Sequence, residues 1–174
     1  MPLDERVDEE QDADRPEPHV DRLAPETVAQ AAHWFDFDRF HAEVRRVARP
    51  RGVLALWTYE KFRIETPLDR LIDTFYTDVV GKYWPPERRY VEEAYRTLPF
   101  PFEEIAAPNF TFQTQWSLEQ VVRYLNTWSA VQRFTRERRY DPVAELLPVL
   151  AVCWGPADLT RSVTWPIHLR VGRV

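Results

Sequence analysis

The feature that most restricts this chain is the segment from Thr27 to Tyr59, where strand, helix and strand signals follow one another with tight connections. "TVAQAA" (27–32) reads as a short buried strand that stops on His33 and Trp34. In "DFDRFHAEVRRVARP", Asp36 is placed to cap a helix, Asp38 lies in its first turn, and Arg45, Arg46 and Arg49 lie in its last. That polarity suits the helix dipole. Phe35 before the cap and Phe40 inside the helix form a hydrophobic staple. Phe37, Phe40, Val44 and Val47 define one helix face. Pro50 ends the helix, and "GVLALWTY" (52–59) follows as an unbroken apolar run. Such a run suits a strand covered on both faces, as in a parallel sheet. The sequence therefore predicts a right-handed βαβ unit.

The rest of the chain sets limits on this unit. Residues 1–25 have few large apolar side chains and four prolines, too little to offset the entropy of ordering, so a disordered acidic segment is expected. Within it, residues 1–22 hold nine acids and three arginines, so the remainder is nearly neutral. The globular part offers no electrostatic reason to bind nucleic acid. No run of about 18 apolar residues suggests a membrane span. The single cysteine, Cys153, fits a reducing cytoplasm and packs as a small hydrophobe. His19, His41 and His168 show no metal-ligand spacing. Seven Trp among 174 residues predict an aromatic core in one domain, residues 26–174.

Downstream, Thr66-Pro67-Leu68-Asp69 predicts a capping box that opens a helix to about Val80. "PPERRYVEEAYRTL" (85–98) predicts a second helix, and "NFTFQTQ" (109–115) a strand. Ser117 and Gln120 cap a long amphipathic helix with Leu118, Val121, Val122, Leu125 and Trp128 on one face. Asp141-Pro142 opens a helix that ends near Gly155. "SVTWPIHLRV" alternates, with Val163, Trp165, Ile167, Leu169 and Val171 on one face. Pro166 cannot donate to a ladder, which predicts an edge position or a bulge.

These segments together resemble the C-terminal half of the class I S-adenosylmethionine-dependent methyltransferases, in particular the trans-aconitate-methyltransferase-like small-molecule group. The similarity rests on "TVAQAAHWFDFDRFHAEVRRVARPRGVLALWTY", "YWPPERRYVEEAYRTLPFPF", "WSLEQVVRYLNTWSAVQRF" and "VTWPIHLRVGR". It implies an α/β, Rossmann-like sheet of strand order 3-2-1-4-5-7-6 with strand 7 antiparallel. Here only 4-5-7-6 is expected, with a helical cap between strands 6 and 7. Where the family has Pro-Gly-Gly, this chain has Pro50-Arg51-Gly52, so Arg51 is expected in a left-handed conformation. The chain has four glycines and no G-x-G, and the similarity stops at Ala24-Pro25-Glu26. The Gly-rich turn and the ribose-binding acid of the family have no counterpart, so a truncated domain lacking strands 1–3 is expected. Strand 4 then becomes a raw edge, open to a second copy or a complementing chain.

The resemblance implies S-adenosylmethionine as cofactor and a small-molecule substrate, and the lack of a G-x-G implies that this chain does not bind the cofactor alone. Gln30 and Ala31 would lie along the methionine part of the cofactor. His33 would orient an acceptor oxygen or act as a base, and with Trp34 it would face the substrate. Trp57, Tyr59, Trp84, Trp116 and Trp128 are candidates for the pocket wall, with core packing as the simpler reading of Trp128. Arg88 and Arg89 either meet a carboxylate substrate or are surface arginines.

Overall fold

The computed structural model describes residues 26–174, so the acidic segment lies outside the described residues. The described part is a mixed α/β domain built on one five-stranded sheet. Strand β1 (Glu26–Ala29) runs parallel to β2 (Val53–Tyr59), with Ala29 opposite Trp57. Helix α1 (Phe37–Val47) connects them. Strand β5 (Thr160–Arg173) runs antiparallel beside β2. On its far side it pairs with β3 (Glu103–Ile105) at one end and β4 (Phe110–Ser117) at the other. The order is thus 4-5-7-6 in family terms, with the sixth strand in two pieces. Between Ile105 and Phe110 that strand advances five residues while β5 retreats four, from Val171 to Ile167, so the register slips by one.

Pro166 is internal, yet its missing N–H costs no ladder bond. Thr164 N–H points toward β2 and bonds Arg63 at 2.9 Å. Alternate residues point the same way, so Pro166 also aims at β2. There the pairing lapses between Tyr59–Ile167 and Arg63–Thr164, with three residues set against two.

Local signals account for most helix ends. Asp36 accepts the Arg39 N–H at 3.1 Å, and the tilted rings of Phe35 and Phe40 pack at 4.9 Å between centroids. Arg51 is left-handed, with φ 63°, as its place in the Pro-Arg-Gly connection requires. Ser117 and Gln120 form the full capping box of α4 (Leu118–Asn126). Asp141 caps α6 (Pro142–Trp154). Helix α2 (Thr66–Thr74) continues as a π-helical turn, Phe75–Val79.

Three expectations are corrected. Thr66 does not cap α2: it lies inside the helix, and Asp69 instead accepts the Ile64 N–H at 2.8 Å. The helix expected over 85–98 shrinks to α3 (Arg88–Glu92), because Ala94 and Tyr95 both adopt positive φ and drive Tyr95 into the core. The long helix after Ser117 breaks at Trp128, which turns extended and starts α5 (Ser129–Arg138). Burial explains that break: Trp128 packs on Phe62, Phe75, Tyr76 and Trp84.

Two clusters form the core. The larger joins α2, α4, α5 and α6 to Val163 and Trp165 of β5. The smaller lies under α1 and α3, where Val44, Val91, Tyr95 and Leu98 cover Leu54 and Leu56. The opposite face of β2, carrying Ala55, Trp57 and Tyr59, stays half-buried, and beside it Phe110 and Phe112 are 49% and 54% exposed.

Candidate functional site

The site is built where β1 and β2 end together. Gln30 has φ 50°, which stops β1 and turns its side chain across the strand gap. Its Oε1 accepts from Thr58 Oγ1 at 2.7 Å and from the Tyr59 N–H at 2.9 Å, while Nε2 donates to Tyr59 O at 3.3 Å. A short 3₁₀ turn, Ala32–Trp34, then sets His33 inward, 7% exposed, and leaves Trp34 outward, 55% exposed. His33 Nδ1 lies 2.8 Å from the Tyr95 hydroxyl. Burial lowers the His33 pKa, the Arg88 guanidinium lowers it further, and Glu87 opposes them.

The expected pocket residues separate into three adjoining cavities. His33 and Trp34 line one of about 420 Å³ with Glu87, Arg89 and Tyr90. Gln30, Trp84 and Trp128 line a second of about 200 Å³, which also receives Lys61 and Arg88. Trp57 and Trp116 line a third of about 250 Å³ with Phe112 and Trp165. Tyr59 and Tyr124 stand in the wall between the second and third. Ala31 is half-buried and lines none of these three.

Three charged residues, Glu60, Lys61 and Arg88, line the second cavity. The Arg88 guanidinium lies 4.7 Å from the Trp84 ring centroid, and its Nε donates to Tyr76 Oη at 2.9 Å. Tyr76 in turn donates to Glu92 at 2.5 Å. Burial pushes the Tyr76 pKa up, so it remains a neutral link between cation and acid. Lys61 pairs with Asp73. Arg88 makes no ion pair among the described residues, so it is held by a phenol and aromatic faces while facing the cavity. Arg89 is exposed. No three His, Cys, Asp or Glu side chains converge as a metal site among the described residues.

Sequence reasoning did not find Tyr95, Tyr76 or Lys61. Tyr76 is marked only in the structure, by its place in a π-helical turn, a feature that gathers at functional sites. Tyr95 carries no signal, because its left-handed turn contains no glycine.

No family model matches the chain. A Dictyostelium discoideum protein named as a methyltransferase is 28% identical over 162 residues, covering 90% of this chain and 60% of that relative. A solved structure described as a type II methyltransferase from Anaeromyxobacter dehalogenans is 46% identical, with a TM-score of 0.78. The similarity covers 87% of this chain and 66% of that one. Together these similarities support a class I S-adenosylmethionine-dependent methyltransferase family for this chain. It spans about three fifths to two thirds of the length of these methyltransferases.

Within a class I methyltransferase, ligands sit beyond the carboxyl ends of the parallel strands, which here are Ala29–Gln30 and Tyr59. The described residues supply one flank of such a site and do not by themselves fit the whole cofactor. The Gln30 amide makes three hydrogen bonds to β2, β1 has no strand on its outer side among the described residues, and no G-x-G is present. No helix among the described residues is long and apolar enough to cross a membrane.

Proposed function

We propose that this chain is the substrate-side portion of a methyltransferase that acts on a small molecule in the cytoplasm, and that it neither holds S-adenosylmethionine firmly nor turns over alone. The observation that carries this reading is the open side of the sheet. Strand β1 is an edge, and the apolar face of Trp57, Ile167, Phe110 and Phe112 beside it lacks a cover among the described residues. A further segment, on a longer polypeptide or on another chain, would pair with β1 and supply the Gly-rich turn. The aromatic cavity containing Arg88 suits a small acceptor with an anionic group, because guanidinium pairs well with carboxylate. In methyl transfer, placement of acceptor and methyl supplies much of the rate, and this half of the molecule would place the acceptor. Titration of S-adenosylmethionine into this chain should give no heat at micromolar concentrations. Binding at that level overturns the reading.

The same free edge favours a second reading, a non-catalytic module that dimerises through β1. Size exclusion combined with amide exchange over 26–29 tests it; a monomer with unprotected β1 rules it out.

A further inference from the structure

Arg88 and Glu92 stand four residues apart on α3, a spacing at which opposite charges pair across a helix turn. They do not pair here. The Tyr76 hydroxyl stands between them, accepting from Arg88 Nε at 2.9 Å and donating to Glu92 Oε1 at 2.5 Å. Both directions are fixed, because a guanidinium only donates and an ionised carboxylate only accepts. Tyr76 comes from the π-helical turn Phe75–Val79. Its ring packs with Trp84 at 4.8 Å and Trp128 at 5.6 Å between centroids, and the Lys61 ammonium lies 4.6 Å from its centre. Two further acids of this region are engaged too. Asp73 pairs with Lys61 and Arg63, and Glu60 Oε1 lies 2.6 Å from His168 Nε2.

The outer end of Arg88 is therefore left over. Among the described residues its Nη1 and Nη2 make no hydrogen bond or ion pair, while Nε is held by Tyr76. Trp84 lines the same cavity of about 200 Å³, and its indole N–H is buried with no hydrogen-bond partner among the described residues. Buried polar groups seldom stay unpaired, so two kinds of unmatched donor border one small cavity. We infer that Tyr76 is a positioning residue, which intercepts Glu92 so that Arg88 and the Trp84 indole stay available to an aryl carboxylate. The guanidinium fork matches a carboxylate through two parallel bonds. The aromatic lining of Tyr59, Trp84, Tyr124 and Trp128 suits a flat apolar body. Recognition of an anion here rests on the proposed function; the interception of Glu92 does not.

Benzoate is the probe, titrated into the full chain and followed by proton–nitrogen NMR of the Trp84 indole, assigned by its loss in Trp84→Phe. Benzoate should shift that signal to saturation, and benzamide, its neutral isostere, should not. Tyr76→Phe should weaken benzoate about tenfold, the order of one charge-assisted hydrogen bond, because Glu92 then closes on Arg88. Adding Glu92→Gln to that variant should restore the affinity, a rescue that lost packing alone would not allow. Unchanged affinity in Tyr76→Phe, or no recovery in the double variant, overturns the positioning role and leaves the anion site standing. Benzamide binding as tightly as benzoate, or a native chain that binds no benzoate, overturns the anion site and the inference with it. Should Tyr76→Phe not fold, Glu92→Gln alone decides. Affinity within about twofold of native supports the role, and a gain of about tenfold, meaning that Glu92 already competes for Arg88, overturns it. Micromolar binding of S-adenosylmethionine would strike the proposed function and leave these affinities untouched.

Discussion

Strand β2 presents two unlike faces. Leu54, Leu56 and Thr58 are 0% exposed beneath α1 and α3, while Val53, Ala55, Trp57 and Tyr59 alternate with them and remain half-buried. Both faces are nonetheless written in apolar residues, "VLALWTY". A strand with one solvated face normally alternates apolar with polar. The sequence of β2 therefore encodes two covers, and the described residues provide one. On the proposed function, the half-buried face is where a complementing segment would pack.

The sharpest way to break this comparison is a pair of truncations. Leu56→Ala should lose about 2–5 kcal/mol, the range for a buried large-to-small change. Trp57→Ala, one residue away on the open face, should lose less than half of that in urea unfolding despite removing more atoms. Equal losses would mean that both faces are already packed. Next in size is Gly172, which lies on the covered side of β5. A Cβ there would stand 2.6 Å from the Phe100 ring and 2.8 Å from Phe102 Cβ. Gly172→Ala should cost about 1–3 kcal/mol as an overpacking change, whereas Ala29→Val on the exposed edge should stay within about 0.5 kcal/mol. A smaller effect, of opposite sign, belongs to the connector beneath the covered face. Arg51→Gly relieves a left-handed residue and should raise stability by about 1 kcal/mol, read as a higher urea midpoint.

The smallest effect is a pH dependence confined to the covered face. His33 and His41 both have lowered pKa values, mainly through burial, with Arg88 and Arg45 respectively adding to it. In the unfolded chain each titrates near 6.5. Between that value and the lower folded one, the unfolded state binds more protons. Stability is therefore fully present above about pH 6.5 and falls as pH drops through the folded values. His41→Gln should flatten part of that slope between pH 7.5 and 5.5. An unchanged slope would mean that His41 is solvated.

Much of this architecture was legible because it is local. The Asp36 cap, the Phe35–Phe40 staple and the Ser117–Gln120 box each depend on residues a few positions apart, whereas the left-handed Arg51 was implied by the family resemblance. The sheet order followed from the family resemblance once βαβ was recognised. What failed depends on distant contacts. Nothing near Ala94 marks a turn, since the conformation is imposed by Arg170 reaching across from β5. Trp128 continues the apolar face of α4 in sequence, but four aromatic rings from other elements draw it out of the helix. The division of the candidate pocket into three cavities was invisible for the same reason. The sequence places Trp116 just before α4 and Trp128 just after it, yet it says nothing of Tyr59 and Tyr124 standing between their cavities.

Strand β5 pairs with β2, β3 and β4, so three of the other four strands have it as a neighbour. It is also the last described element to leave the ribosome. Until residues 160–173 have been made, β3 and β4 lack any strand partner and β2 has only the four residues of β1. Until β5 is made, the nascent chain thus carries Leu54, Leu56, Phe112 and several tryptophans without the central strand of the sheet. Such late closure, with long-range pairing deferred to the end, favours slow folding and binding by chaperones during translation.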